Sequence, residues 1–299
     1  MPRRRLPFAG LIPAAALLIA ALICLSDPHV TALYMLDIFT VPILIFGLIM
    51  TAMLGLLRHK AAFALALAAS ALLLISAWPQ IAPRTAKTDG PALRIVFSNL
   101  YFRNTQPERL ADWALAQQAD IVITVETTPK LWRSLQARLT ARLPYASHQG
   151  EVAIFSRYPF PAVDAPGGHF GVAAIATPQG PLRLIGAHFD HPDSRLKPRH
   201  VSFFERLCAR LNSGDARDVV LVGDFNSDLS AWMLKAVARD YDLTPLPALR
   251  GTWPSPLPSL LRLNLDNALS GAHWSMSNRS IGPEVGSDHR PIAFDLRRL

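Results

Sequence analysis

Apolar and polar positions divide this chain into two unlike parts. From Leu6 to Trp78 charges are scarce, and three apolar runs follow one another: Leu6–Leu25, Leu33–Leu57 and Ala61–Trp78. At a helical rise of ~1.5 Å per residue, each is long enough to cross a hydrocarbon core of ~30 Å. The last is the shortest and is open to a re-entrant or packed-helix reading. Pro13 and Pro42 do not break the pattern, because lipid-embedded helices tolerate proline. Beyond Pro79 the periodicity changes. Short apolar runs at Leu93–Ser98, Ile121–Val125, Val152–Phe155, Val172–Ala176, Leu182–Ala187, Val219–Val222, Leu263–Leu269 and Ile292–Leu296 read as strands. Helical periods fill Pro107–Gln118, Pro129–Leu143, Pro198–Leu211 and Ala231–Arg239. Helices between strands, with a meander in the middle, predict a mixed α/β domain of two packed sheets. The expected division is a three-helix membrane region at 1–78, a Pro-rich linker at 79–91 and a soluble domain at 92–299. Thirteen linker residues span at most ~45 Å, which keeps the domain near the bilayer.

Charge adds a topology. Arg3, Arg4 and Arg5 precede the first run, and Arg58 and Lys60 separate the second from the third. The loop between the first two carries Asp27 and His29 and no Lys or Arg. Basic flanks stay cytoplasmic, so three crossings export everything after Trp78. In a bacterium that is an inner-membrane protein with a periplasmic or otherwise extracytoplasmic domain. A third run that fails to span would leave the domain in the cytoplasm. The net charge of +8 falls to +5 once the membrane region is removed. That surplus suits an anionic substrate, although an ordinary solvated surface carries as much. The two cysteines, Cys24 and Cys208, form neither a CxxC nor a zinc-ligand pattern.

Candidate chemistry sits where strands end, the place where α/β sheets hold ligands. The most informative stretch is Val220–Asp228, VLVGDFNSD. Gly223 ends a buried strand, and Asp224 and Asn226 point to one side across Phe225. Asn99 ends the first strand, Glu126 the second and His188 the sixth; Asp266 lies in LNLD, and Asp288 and His289 in GSDHRP. Each alone has a plain structural role as cap, turn or satisfied core group. Together they form the set that metal-assisted phosphoester hydrolysis requires. Oxygen ligands such as Glu126 and Asp288 suit Mg²⁺ or Mn²⁺. A carboxylate-held histidine serves as a base or stabilises phosphoryl oxygens.

Asn99, Glu126, His188, Gly223-Asp224-Phe225-Asn226, Asp266 and Ser287-Asp288-His289-Arg290-Pro291 also occur in the order of the endonuclease/exonuclease/phosphatase superfamily. From about Leu93 to Leu299 the chain resembles that group, which includes DNase I, AP endonucleases, neutral sphingomyelinases and inositol polyphosphate 5-phosphatases. Gly251-Thr252-Trp253-Pro254 is similar to its Thr-Trp element. The resemblance implies a four-layer, DNase I-like α/β sandwich. It implies metal binding by Asn99, Glu126 and Asp288, and catalysis by His188, Asp224, Asn226, Asp266 and His289. Asp266 would hold His289, and Glu151 would orient His188. Two departures stand out. Asp266 is followed by Asn267, and His191 in Phe-Asp-His-Pro rivals His188 for the same role.

The expectation is a membrane-anchored, divalent-metal-dependent phosphoesterase acting on phosphodiesters or phosphomonoesters. Basic charge tilts the substrate toward nucleic acid, and tethering tilts it toward a phospholipid or sphingomyelin-type head group. A binding module that retains the fold without turnover is the alternative from another class. The expected partners are an anionic phosphoester and the bilayer itself.

Overall fold

Alternation along the strands sorts side chains onto two faces, and that sorting builds the architecture. The structure, a computed structural model, describes residues 10–27, 31–82, 90–161, 168–191 and 199–299. The first part contains α1 (Leu11–Leu25), α2 (Thr31–Asp37), α3 (Thr40–Leu56) and α4 (Lys60–Ile81). The second contains β1 (Leu93–Asn99), α5 (Glu108–Ala116), β2 (Ile121–Val125), α6 (Pro129–Leu139), β3 (Tyr145–Gln149) and β4 (Val152–Ser156). These are followed by β5 (Phe170–Thr177), β6 (Gly180–His188), α7 (Arg199–Asn212), β7 (Val219–Asp224) and α8 (Trp232–Asp240). The chain closes with β8 (Thr244–Pro245), β9 (Asp266–Ser270), β10 (Trp274–Ile281) and β11 (Ile292–Arg298).

The strands form two sheets, ordered β10-β11-β1-β2-β4-β3 and β5-β6-β7-β9-β8. Ile95 and Phe97 of β1 face inward with Ile123 and Ile154, and meet Leu184, Val220 and Val222 of the second sheet. Val96, Val122 and Phe155 point the other way, onto Leu110 of α5 and Leu131 and Leu135 of α6. Ile185 and Leu221 carry Phe203, Leu207 and Leu211 of α7 and Met233 of α8 on the far face of the second sheet. The result is a helix–sheet–sheet–helix sandwich. Burying one such Phe or Leu contributes about 1.5–3 kcal/mol. Helix α6 begins where the sequence indicates: the Thr128 hydroxyl accepts the Leu131 N–H at 3.4 Å, and Pro129 occupies the first turn.

Three features differ from the sequence-based expectation. The apolar run Leu33–Leu57 is two helices, broken at Ile38 and Phe39, where the Thr40 hydroxyl donates to the Asp37 carbonyl at 2.7 Å. The third run, read as the shortest, becomes the longest helix, continuing through Pro79 to Ile81 and so into the expected linker. Strands β3, β8 and β10 were not expected at all. Their sequences, YASHQ, TP and WSMSNRSI, lack an apolar run, and all three lie at sheet edges. Arg3–Arg5, His29 and linker residues 83–89 lie outside the described residues.

Helix α4 packs against α1 and α3 along Ala62, Ala66, Ala69, Leu73 and Ala77. Among the described helices it alone is long and apolar enough to cross a membrane; α1 and α3 have 15 and 17 residues. Apolar side chains such as Ile12, Phe46, Leu56 and Ile75 cover the outside of the bundle. One end of the bundle contacts the sandwich. Lys235 pairs with Asp27, and the Tyr34 and Ser227 hydroxyls are hydrogen-bonded. The Gln80 amide donates to Asp228 Oδ2 at 2.7 Å and to the Ser230 hydroxyl at 2.8 Å. Ile38 packs on Leu263 and Leu265. Arg58 and Lys60 are at the opposite end of α4, about 30 Å away at the helical rise.

Candidate active site

Strand register assembles residues that are far apart in sequence. Parallel pairing of β6 with β7 sets His188 opposite Asp224, and antiparallel pairing of β7 with β9 sets Asp224 opposite Asp266. In the other sheet Asn99 stands opposite Val125, so Glu126 follows at the same strand end. Asn99 then ties the sheets together. Its side-chain amide nitrogen donates to Glu126 Oε1 at 2.9 Å and to Asp224 Oδ2 at 3.0 Å, while its side-chain Oδ1 accepts the Tyr101 N–H at 2.8 Å. Gly223 is required here: a Cβ would lie 2.1 Å from the Ala187 carbonyl oxygen on the paired strand. Glu126 and Asn226 both adopt positive φ, 53° and 47°. Such conformations cost a side-chain-bearing residue energy and are concentrated at functional sites.

The turn after β7 is fixed by its own residues. The Asn226 N–H donates to Asp224 Oδ1 at 2.8 Å, and the Asn226 amide donates to the Phe189 carbonyl at 2.5 Å. Glu126 Oε2 accepts the N–H of Phe102, whose ring is exposed, at 3.0 Å.

Two histidines face this centre, each backed by a carboxylate. His289 Nδ1 donates to Asp266 Oδ2 at 2.9 Å, leaving Nε2 3.6 Å from Asp224 Oδ2. Burial opposes a charge on His289, but Asp266 and Asp224 outweigh it and raise the imidazole to about 10. Burial likewise raises Asp266, against the pull of His289. His188 Nδ1 donates to Glu151 Oε1 at 3.0 Å, and its Nε2 lies 3.7 Å from Glu126 Oε1. Burial lowers His188, yet the hydrogen bond to Glu151 and the charges of Asp224 and Glu126 lift it to about 9. Glu151, which burial alone would raise, falls to about 2 because it accepts from two imidazoles. The second is His169, absent from the sequence-based set. Its carbonyl accepts the His188 N–H at 2.9 Å, so the β5–β6 hairpin sets the two side by side. Hairpin register was the signal that could have found it. His191 is exposed, and His188 is the histidine that meets the carboxylates.

The Ser287–His289 turn is secured to β1, where the Ser287 hydroxyl donates to the Asn99 carbonyl at 2.8 Å. Asp288 Oδ2 accepts the Trp253 indole N–H at 3.2 Å, and Oδ1 is buried with no hydrogen-bond partner among the described residues. Asp266 Oδ1 is in the same state. Carboxylate oxygens buried without donors are costly unless a cation takes them. The set of Glu126, Asp224, Asp266 and Asp288 is rich in hard oxygens and fits a divalent ion. Two clusters of ligand-type atoms lie within 4.8 Å, Glu151-His169-His188 and Asp224-Asp266-His289. Histidine–carboxylate hydrogen bonds already account for both, and the carboxylate oxygens left open beside them are Asp266 Oδ1 and Asp288 Oδ1.

The fold is shared with solved structures of low sequence identity. Sphingomyelinase C from Streptomyces griseocarneus aligns at a TM-score of 0.52 and 18% identity, covering 69% of this chain and 99% of that one. The endonuclease domain of TRAS1, a telomere-specific non-LTR retrotransposon, aligns at 0.54 and 17%, covering 70% and 99%. A magnesium-bound variant of beta toxin from Staphylococcus aureus aligns at 0.54 and 16%, covering 68% and 99%. Comparison with curated proteins gives no match. Residues 96–289, about two-thirds of the sequence and the span that holds the strand-end residues described above, match one family model. The chain belongs to the endonuclease/exonuclease/phosphatase family.

Proposed function

We propose that this protein is a divalent-metal-dependent phosphoesterase held in a membrane by its N-terminal helices, with its site directed at phosphodiesters on the bilayer surface. The observation that carries the reading is the Asp224–Asn226 turn. Asp224 meets Asn99 and His289 there, and the next residues, Ser227 and Asp228, bind Tyr34 and Gln80 of the helical bundle. Chemistry and anchor therefore lie within a few residues of each other. Among the described residues the contacts of the bundle with the sandwich, through Asp27, Tyr34, Ile38 and Gln80, lie away from Arg58 and Lys60, which agrees with an extracytoplasmic domain.

Glu126, with Asn99 and Asp288 beside it, would hold Mg²⁺ or Mn²⁺, which when bound neutralises phosphoryl charge. Asp224 accepts the proton of the attacking water as its oxygen bonds to phosphorus. His289, kept cationic by Asp266 and Asp224, binds a phosphoryl oxygen. His188, kept cationic by Glu151, protonates the leaving oxygen as its bond to phosphorus breaks. Asn226, held by the Phe189 carbonyl, has a second N–H to offer the transition state. The basic net charge supports a second reading, nucleic acid as substrate.

The test uses full-length protein in detergent, with Mg²⁺ or EDTA, against phospholipid and sphingomyelin vesicles, plasmid DNA, a single-stranded oligonucleotide and phosphomonoesters. Metal-dependent cleavage of a lipid, lost on His289→Ala, is expected. Cleavage of DNA alone would transfer the assignment to a nuclease. Folded, metal-binding protein that cleaves none of these would refute the catalytic reading in favour of a binding module.

A further inference from the structure

One polar cavity takes no part in the chemistry above. Its volume is about 600 Å³, and its walls carry Arg250, Arg262, Arg279 and Arg290 with Leu249 and Ser259. Arg290 directly follows His289 in the chain. Four guanidiniums converging on one space repel one another unless an anion sits among them. Among the described residues the acids that act on them are Glu284, exposed and 3.7 Å from Arg290, and buried Asp266, whose charge reaches Arg279 without an ion-pair contact. Arg279 spends Nη1 on the Arg250 carbonyl and Nη2 on Asn264, both at 3.0 Å, and neither partner is charged. Arg262 is the informative case. Its Nε is buried and has no hydrogen-bond partner among the described residues. A buried donor left open in a cavity of like charges is a feature that an acceptor oxygen relieves. Burial and Arg290 both push Arg262 downward, and burial brings Arg279 to about 10.

The surroundings indicate where that anion comes from. Arg250 and Arg262 flank a loop whose base is the Trp253–Leu263 bridge. That base packs on Ile38 of the helical bundle. Leu257, Leu260 and Leu261 project from this loop and Leu249 lies just before it, each between 40 and 56% exposed. Exposed leucines beside a cluster of arginines, at the end of an apolar bundle, form a surface with one region for acyl chains and one for phosphate. Guanidinium suits phosphate because its donors pair with two oxygens at once.

We propose that Arg250, Arg262, Arg279 and Arg290 form an accessory site for the phosphate of an anionic phospholipid, whose chains lie against the leucines of the Leu249–Leu261 segment. The site rests on the membrane-held reading of the protein but not on catalysis. It would keep the cleft seated on anionic regions of the bilayer while a different molecule is turned over.

The test uses the full chain in a non-ionic detergent with EDTA, so no turnover intervenes. Binding of dihexanoyl-phosphatidylglycerol, dihexanoyl-phosphatidylcholine, inorganic phosphate and a single-stranded oligonucleotide is followed by calorimetry. Phosphatidylglycerol is expected to bind at least tenfold more tightly than phosphatidylcholine or phosphate. Arg262→Gln with Arg279→Gln should weaken it at least tenfold, while Arg133→Gln on exposed α6 leaves it unchanged. Arg250 is exposed, so Arg250→Gln keeps the fold and should weaken binding severalfold by itself. Equal affinity for the two lipids, or no effect of Arg250→Gln and Arg262→Gln, overturns the proposal. Inorganic phosphate binding as well as the lipid makes this a free-phosphate site, and an oligonucleotide that displaces the lipid makes it a nucleic-acid contact; either overturns the lipid assignment. Carbonate washing of cell membranes tests the anchor separately, because release of the chain would refute the membrane reading whatever the lipid result.

Discussion

Asp228 offers the sharpest check on the contact between the helical bundle and the catalytic turn. Its carboxylate is 1% exposed and accepts the Gln80 amide at 2.7 Å and the Ser230 N–H at 2.8 Å. Burial dominates these hydrogen bonds and raises the group from 3.8 to about 7. A folded-state value above the unfolded one means that the native protein binds the proton more tightly. Stability from this source is complete below pH ~4, declines between about 4 and 7, and is absent above about 7. A shift of roughly three units, at ~1.4 kcal/mol each, makes the decline on the order of 4 kcal/mol. Asp228→Asn keeps an acceptor for Ser230 and cannot ionise. Its melting temperature should therefore gain on the wild type between pH 4.5 and 7.5 and stay level above that. With roughly 2–4 °C per kcal/mol for a domain of this size, the change in the gap approaches 10 °C. Tryptophan fluorescence melts of both full-length proteins, in one detergent across that range, measure it. A gap that does not vary with pH would refute the raised carboxyl and with it the dry Gln80–Asp228 interface.

Two further substitutions address the cleft itself. Glu151→Ala removes the acceptor that orients His188, and should lower kcat/KM by about a hundredfold, whereas His191→Ala, at an exposed position, should change it less than twofold. Equal losses in steady-state assays would return the role to His191. Gly223→Ala places a methyl 2.1 Å from the Ala187 carbonyl oxygen, so β6 and β7 must part. Overpacking of this kind costs about 1–3 kcal/mol or more, and an unchanged melting temperature would show that the strands yield without cost.

The sequence made the sandwich legible where strands are buried and unreadable where they are edges. Ile95, Phe97 and Val96 alternate between the two cores, and the apolar run that they form in β1 is visible without coordinates. Tyr145–Gln149 and Trp274–Ile281 are edge strands that are only partly buried, carry polar residues there and lose the pattern. The site followed the same logic. Asn99, Glu126, His188 and Asp224 each stand directly after an apolar run, where the strand stops and the chain must turn. His169 precedes its strand, and only the hairpin register that pairs Phe170 with Ala187 brings it to His188. Gln80 was hidden for another reason. It follows Pro79, which reads as the start of a linker, while the helix in fact carries it on to Asp228.

That last contact changes how the two halves of the chain relate. A tether of thirteen residues would let the cleft sample many orientations above a bilayer. Here the chain leaves α4 only after Gln80 has bonded to Asp228 and Ser230, and the Gln80 carbonyl has accepted the Ala248 N–H at 2.9 Å. Tyr34 and Lys235 add contacts from other elements. Ser227 and Asp228 directly follow Asn226, so a tilt of the bundle acts on the turn that holds the reacting groups. The consequence is physical: these contacts, and not the length of the linker, set where the site lies relative to the bundle. On the membrane-held reading proposed above, a head group would meet the site by lateral diffusion, whereas a duplex would have to bend toward it at the elastic cost of a stiff polymer.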